Sequence, residues 1–263
     1  MARLAVEIEG VEQVYGTGQG RVHALSGVNL EIGEREFVCV VGPSGCGKTT
    51  LLNILAGFSE STSGTVRSFG RPITAPGPDR TMMFQDYALF PWLSVEGNIE
   101  YGLKRRDMPR KERAEVVARY VQLIDLKGFE KKYPSQLSGG MRQRVALARA
   151  LAVNPAVLLM DEPFAALDSF TRERLQDELV RVWQQEKKAV VFITHSIPEA
   201  IKLADRIVVM SPRPGRISAV LPVATSRPRD LEGEDCGAIA RRIREILHLK
   251  NGSAADGISP VGS

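Results

Sequence analysis

The sequence predicts an α/β fold in which helices cover a parallel sheet. Short apolar segments have the length and composition of buried strands, and helical patterns separate them. One intervening segment places Leu175, Leu179 and Val182 on a single helical face. Strands that alternate with helices favour a parallel sheet covered on both faces. The segments predicted as strands of this sheet are 37–41, 156–160, 189–193 and 206–210.

The chain departs from this alternation in its first half. Leu4, Val6 and Ile8 alternate with polar residues, and 22–30 is a further candidate strand, so the first forty residues are predicted to be β-rich. The stretch from about 86 to 155 is mostly helical in pattern and is interpreted as an insertion into the α/β part.

The C-terminal part is predicted to lie outside the main domain. Residues 1–225 are expected to form that domain, and 226–250 a short helical extension. Residues 251–263 are rich in Gly, Ser and Ala and are predicted to be disordered.

Composition narrows the class of protein. The 35 basic and 31 acidic residues give a net charge of +4, which is too balanced to indicate nucleic-acid binding. The three cysteines, at 39, 46 and 236, have neither disulfide nor metal-site spacing, so a reducing compartment is expected. The N-terminus lacks the apolar core of a signal peptide, and no apolar run approaches the ~20 residues of a spanning helix. We therefore expect a chain that does not itself cross a membrane.

A glycine-rich stretch that fits the pattern G-x-x-x-x-G-K-[ST] is the strongest functional signal. It lies between an apolar strand and an apolar helical segment, which is the setting of a phosphate-binding loop. The glycines let backbone N–H groups point at a triphosphate, and Lys48 supplies a charge for its β- and γ-phosphates. The hydroxyl of Thr49 is suited to bind Mg²⁺. The predicted loop consists of Gly42, Pro43, Ser44, Gly45, Cys46, Gly47, Lys48, Thr49 and Thr50.

Polar residues follow two of the predicted strands. In proteins with such a loop, a neighbouring strand commonly ends in an Asp that holds Mg²⁺, and Asp161 fits that position. The adjacent Glu162 is placed to polarise a water for in-line attack. His195 follows the strand at 189–193, on the ligand side of a parallel sheet, where it can contact the γ-phosphate. A lone histidine is otherwise more often structural.

The residues Ser138, Gly139 and Gly140 begin another predicted helix. Small residues at a helix N-terminus can form a second anion site. One chain needs one γ-phosphate site, so a second site suggests that it serves another copy of the chain. From the residues alone, a simple N-cap and turn is an equally good interpretation.

These motifs together are similar to those of the ATP-binding subunits of ABC transporters. The similarity rests on 42–50, 137–144, 157–163 and His195, in this order and spacing, and spans about 4–216. It implies a P-loop NTPase (RecA-like) core with a parallel sheet, an N-terminal antiparallel β-subdomain and an inserted α-helical subdomain. It also implies ATP hydrolysis with Mg²⁺ and a dimer of two copies that encloses ATP.

The resemblance implies further roles for single residues. Tyr15, which spacing alone favours as a core aromatic, resembles the aromatic that stacks on adenine. Gln85 resembles the glutamine that touches Mg²⁺ and the attacking water, and the segment 166–168, with Asp168, resembles the loop that communicates across the dimer. Ser138 and Gly140 would bind the γ-phosphate of ATP held by the opposite copy.

A finer resemblance is to the nitrate/sulfonate/taurine importer group. It rests on 83–92, 194–200 and 211–217. The resemblance implies two integral-membrane permease subunits and, indirectly, a substrate-binding protein as partners. It implies a peripheral location on the cytoplasmic face of the cell membrane, with a permease helix docked near Gln85 and Phe90. The transported substrate stays open.

Two rival classes share the phosphate-binding loop. ABC ATPases that act on DNA or ribosomes usually carry a long coiled coil or two cassettes in one chain, and neither pattern is present here. A P-loop kinase has no use for the Ser138–Gly140 motif or for His195. A role in export stays open as well.

Overall fold

The computed structural model describes residues 3–84, 88–165, 167–186 and 188–252. The chain forms two compact units. The first unit comprises Met1–Pro76 and Ala189–Ser263, and the second comprises Gly77–Lys188. In the described part of the chain, no helix is both long and apolar enough to span a membrane.

The first unit contains a four-stranded antiparallel sheet in the order β2-β1-β4-β5. The long strands β1 and β2 pair from Leu4↔Gly33 to Tyr15↔Val22. Val6 and Ile8 of β1 are buried in alternation, and Val11 is buried after an irregularity in the register between Ile8 and Val11. The predicted β-rich N-terminal part is therefore an antiparallel sheet. Its strands are β1 Leu4–Tyr15, β2 Val22–Gly33, β4 Ser63–Ser68 and β5 Arg71–Pro72.

The first unit also contains four strands of a mainly parallel sheet, in the order β10-β9-β3-β8. The central strand β3 pairs in parallel with β8 and β9, and all five of its residues are buried. β10 is antiparallel to β9 and was not predicted. These strands are β3 Phe37–Val41, β8 Ala189–Thr194, β9 Arg206–Met210 and β10 Ile217–Pro222. The helices of this unit are α1 Lys48–Ala56, α6 Ile197–Leu203 and α7 Glu234–Gly252.

The second unit combines a parallel strand pair with four helices. β6 and β7 pair from Arg80↔Val157 to Met83↔Met160. The apolar faces of α3, α4 and α5 are buried, including Leu175, Leu179 and Val182 as the pattern predicts. The elements are β6 Arg80–Met83, α2 Val95–Glu100, α3 Arg110–Leu123, α4 Gly139–Ala152, β7 Val157–Asp161 and α5 Ser169–Glu186.

The α/β prediction is confirmed, with two differences in extent. The helices α2 to α4 lie inside the predicted helical stretch at 86–155, but their unit also includes β6, β7 and α5. Helix α7 extends through Gly252, two residues into the segment that was predicted to be a disordered tail. The remainder of that tail, 253–263, lies outside the described residues.

Candidate functional site

The phosphate-binding loop connects β3 to α1, as predicted. Gly45 and Gly47 have φ of 74° and 95°, in the left-handed region that glycine adopts without strain. Helix α1 runs from Lys48 to Ala56, and Gly57 is its C-cap, with a φ of 79° and an N–H that donates to the carbonyl oxygens of Asn53 and Ile54. The loop therefore leads directly into a helix.

Backbone from other segments contacts the loop closely. A Cβ built on Gly47 would lie 2.7 Å from the carbonyl oxygen of Ala24 in β2, and one on Gly42 would lie 3.0 Å from that of Met210 in β9. Real Cβ atoms essentially never have a contact shorter than 3.0 Å, and the Cβ on Gly42 would also lie 2.8 Å from Cys46 Sγ. These glycines are therefore required by packing as well as by loop conformation.

Lys48 is held inside its own loop. Its Nζ donates to the carbonyl oxygens of Gly42 at 2.9 Å and Pro43 at 3.0 Å, and its side chain is buried. A buried ammonium needs such partners, and a phosphate group would add the missing counter-charge.

The loop also presents backbone donors. Among the described residues, no carbonyl or side chain accepts from the N–H groups of Gly47, Thr49 and Thr50, whereas the Lys48 N–H lies against the Cys46 sulfur. The first intrahelical bond here is from Leu51 N–H to the Gly47 carbonyl. Unsatisfied N–H groups at a helix N-terminus, together with the positive end of the helix dipole, suit an anion.

The thiol of Cys46 is completely buried within the loop. Burial raises its pKa, against the opposing influence of the Lys48 ammonium. A Cβ on Gly42 would lie 2.8 Å from its Sγ. Cys46 therefore fills space behind the loop, while Ser44 and Thr49 are exposed.

His195 lies at the same edge of the sheet as the phosphate-binding loop. The parallel strands β3 and β8 end at the paired residues Val41 and Thr194. Gly42 and His195 therefore directly follow two adjacent strand ends. His195 is exposed, and Thr194 Oγ1 accepts from the Ser196 N–H at 2.9 Å. The structure thus brings together the loop and the predicted histidine.

The two predicted carboxylates lie at the end of β7 in the second unit. Asp161 is buried at the last strand position. Glu162 follows with φ of 45°, a left-handed conformation that costs a non-glycine residue of order 1 kcal/mol. The left-handed backbone of Glu162 interrupts the extended backbone of β7 directly after Asp161, and the sequence pattern did not predict it.

Ser138 caps helix α4. Its Oγ accepts from the N–H of Met141 at 3.3 Å, which leaves its own O–H as a donor. Gly139 and Gly140 occupy the first two helical positions, and no carbonyl among the described residues accepts from their N–H groups. The N-cap interpretation is correct, and the same geometry presents three donors at a helix N-terminus.

Asp168 occupies the corresponding position before α5. Its Oδ1 accepts from the N–H of Thr171 at 2.9 Å. This backbone hydrogen bond is the main reason that the pKa of the Asp168 carboxyl lies below its usual range. The described geometry therefore gives Asp168 a capping role.

Two predicted site residues remain, Tyr15 and Gln85. Tyr15 ends β1 with 43% of its surface exposed, so the core interpretation from spacing is wrong. Gln85 lies outside the described residues.

One buried residue of the second unit was missed. Asn98 of α2 is fully buried, and its side chain accepts from the N–H of Phe90 at 2.9 Å. Its amide donates to the carbonyl oxygens of Phe90, Leu93 and Ser94. Asn98 thus holds the segment 90–94 that follows β6. A polar residue at a buried helical position was the available signal.

A surface groove of about 540 Å³ in the second unit carries none of the predicted site residues. It is lined by apolar residues of α3, including Val117 and Val121, and by charged residues of both signs.

Comparison with known proteins gives consistent matches. A family model described as ABC transporter matches residues 25–165. The nitrate import ATP-binding protein of Synechocystis sp. is 47% identical over 218 residues, 83% of this chain and 82% of that protein. The aliphatic sulfonates import ATP-binding protein of Bacillus cereus is 43% identical over 240 residues, 91% of this chain and 94% of that protein.

A solved structure is similar over most of the chain. It is a dimeric, post-hydrolysis state of an ATP-binding cassette bound to ADP and Pi. The TM-score is 0.76 at 33% identity, covering 84% of this chain and 100% of that one. The family match includes the phosphate-binding loop, the Ser138–Gly140 helix start and Asp161. The chain therefore belongs to the ABC transporter family, as an ATP-binding cassette.

Proposed function

We propose that this chain is the ATP-hydrolysing subunit of an importer for nitrate, a sulfonate, taurine or a related small solute. The phosphate-binding loop carries the proposal, because it combines a buried lysine with a row of unsatisfied backbone donors at a helix N-terminus. The nitrate and sulfonate relatives support the substrate class.

Binding of ATP is assigned to the loop residues Gly42–Thr50. The N–H groups at the start of α1 donate to phosphate oxygens, and Lys48 supplies a positive charge. Tyr15 is proposed to stack on adenine, and its exposure supports that role.

Mg²⁺ is proposed to bind the hydroxyl of Thr49 and the carboxylate of Asp161, with Gln85 as a further ligand. Hard oxygen donors fit this ion, which usually takes one or two protein ligands plus phosphates and waters. When bound, Mg²⁺ neutralises charge on the β- and γ-phosphates.

Hydrolysis is assigned to Glu162, which orients water or takes its proton for in-line attack on the γ-phosphate. Lys48 and His195 stabilise charge on that phosphate, and Gln85 contacts the water. The position of His195 at the edge where the loop begins supports its part in this scheme.

A second copy is proposed to complete the site. The donors of Ser138, Gly139 and Gly140 would bind the γ-phosphate of ATP held by the partner, and Asp168 would lie near the contact between copies. A dimer that closes on ATP must bind ATP more tightly than ADP, or closure could do no work. The dimeric ATP-binding cassette supports this assembly.

Two permease subunits are the proposed membrane partners, on the cytoplasmic face. Docking of a permease helix is assigned to the aromatic residues that follow Gln85. Phe90 contacts Tyr101 and Trp92, with ring centroids 4.2 and 5.5 Å apart, and Trp92 is 68% exposed. An exposed aromatic surface of this kind suits an apolar helix face. A substrate-binding protein would act through the permeases.

The variant Glu162→Gln tests the proposal directly. It should bind ATP as the wild type does, lose hydrolysis by about 10²- to 10⁴-fold and form a dimer stabilised by ATP. The exposed Glu173→Gln variant is the matched control and should retain wild-type hydrolysis. A Glu162→Gln protein that is fully active and monomeric with ATP on a sizing column would contradict the assignment.

The substrate class needs a separate experiment. Uptake of nitrate, taurine and an aliphatic sulfonate should be measured in a strain that lacks this gene, with and without the restored gene. Loss of one uptake activity and its recovery identify the substrate. Unchanged uptake of all three solutes would exclude the proposed group while leaving the ATPase assignment untouched.

A further inference from the structure

The turn between β9 and β10, residues 211–216, contacts the phosphate-binding loop. The Gly215 N–H donates to the carbonyl of Ala24 at 2.9 Å, and the Gly215 carbonyl accepts from the Ser26 N–H at 3.0 Å. A Cβ built on Gly215 would lie only 2.0 Å from the carbonyl oxygen of Cys46. The backbone of the turn and that of the loop are therefore in direct contact.

The turn is also fixed internally. Ser211 Oγ donates to the Pro214 carbonyl at 3.2 Å and accepts from the Arg216 N–H at 3.1 Å. The Ser211 N–H donates to the Arg216 carbonyl at 2.9 Å. These bonds set the position of the residues between them, including Arg213.

Arg213 places a guanidinium beside the loop. A Cβ built on Gly45 would lie 3.6 Å from its Nη2. The side chain of Arg213 is exposed, and no carboxylate among the described residues forms an ion pair with it. The second arginine of the turn, Arg216, instead directs its Nη2 to Ser26 Oγ at 3.3 Å.

We propose that Arg213 is a further cationic residue of the nucleotide site, which raises the affinity for ATP through its charge. This inference rests on the proposed function of the phosphate-binding loop. A guanidinium keeps its charge at any physiological pH and suits phosphate groups in geometry and hydration. Its attraction grows with the negative charge of the ligand, so it favours ATP over ADP. Because Arg213 is exposed, dissolved salt screens this attraction, with a Debye length of about 10 Å at 0.1 M ionic strength.

Three variants separate charge from packing. Arg213→Gln removes the charge and keeps a side chain of similar polarity, and Arg213→Lys keeps the charge. Arg216→Gln removes an equally exposed arginine of the same turn and is the matched control. Binding of ATP and ADP is measured by calorimetry with EDTA, so that no hydrolysis occurs, at 50 mM and 500 mM KCl. Thermal unfolding of each variant checks that the fold is retained.

Arg213→Gln is expected to weaken ATP binding by about three- to tenfold at low salt, and ADP binding by less. The difference should fall below about twofold at high salt, because screening then removes most of the attraction. Arg213→Lys should restore most of the affinity, and Arg216→Gln should bind as the wild type does.

Equal affinity of Arg213→Gln and wild type would overturn the inference. So would a loss that is the same for ATP and ADP, independent of salt and not restored by lysine, because packing alone would explain it. If the wild type bound no ATP either with EDTA or with added Mg²⁺, the proposed function would fail; if it bound ATP, only the role of Arg213 would be in question.

Discussion

The variant Gly215→Ala tests how tightly the β9–β10 turn contacts the phosphate-binding loop. The added Cβ would lie 2.0 Å from the Cys46 carbonyl oxygen and 3.1 Å from that of Ala24. Since real Cβ contacts are not shorter than 3.0 Å, the turn and the loop must separate by at least 1.0 Å. Both obstructing atoms belong to backbone, so no rotamer change relieves the contact.

Two consequences follow from that displacement. Overpacking of this size typically lowers the free energy of unfolding by about 1–3 kcal/mol. A misplacement of about 1 Å at a catalytic site can reduce turnover by about 10²-fold. We therefore expect Gly215→Ala to fold with a lower urea midpoint and to hydrolyse ATP about ten- to a hundredfold more slowly.

The control is Gly237→Ala in helix α7. Its Cβ would lie 3.5 Å from Nη1 of Arg241, which is an ordinary contact. Alanine at this helical position should stabilise the protein by about 0.5–1 kcal/mol and leave hydrolysis unchanged. Wild-type stability and wild-type turnover of Gly215→Ala would refute the reasoning, because the loop would then not depend on the turn.

Three further predictions concern other parts of the chain. Asn98→Ala should lower stability by about 2 kcal/mol and speed hydrogen exchange in 90–94, because it leaves buried backbone groups without partners; unchanged exchange there would contradict this. The pKa of the Asp168 carboxyl is lower in the folded than in the unfolded state, so this group stabilises the fold fully above the unfolded-state pKa of about 4. That stabilisation is lost as pH falls through the folded-state pKa. Asp168→Asn should therefore make the urea midpoint less dependent on pH in the acidic range, and an unaltered pH profile would argue against it. Arg229→Met should lower stability by about 2 kcal/mol, measured by urea denaturation, because the guanidinium donates to the carbonyl oxygens of Ile201 and Ala204; a variant as stable as wild type would show that these bonds contribute nothing.

The phosphate-binding loop and its surroundings were predictable because their signals are local. The spacing of the glycines and Lys48 is the one that the proposed contact with a single triphosphate requires, and the flanking apolar runs reflect burial of one strand and one helix. The same holds for Ser138, whose capping role needs only the helix that follows it. Family resemblance then suggested roles that spacing could not, such as the proposed stacking of Tyr15 on adenine, whereas spacing favoured a core position that its exposure contradicts.

Features that depend on distant segments were not predictable in this way. Strand β10 has no fully buried residue and no clear alternation, so only its pairing with β9 defines it. The buried position of Asn98 depends on the carbonyl groups that surround it. The left-handed backbone of Glu162 likewise has no signal in the sequence.

The sequence by itself predicted a nucleoside-triphosphate site and the residues of the loop that would form it. Only the tertiary structure decided what contacts that loop. Gly215 and Arg213 are about 170 residues from it in sequence, yet Gly215 packs against the Cys46 carbonyl and the Arg213 guanidinium lies beside Gly45. The physical reason is that a periodic pattern shows which face of a segment is buried. The contact between two backbone segments far apart in sequence depends instead on the topology of the fold.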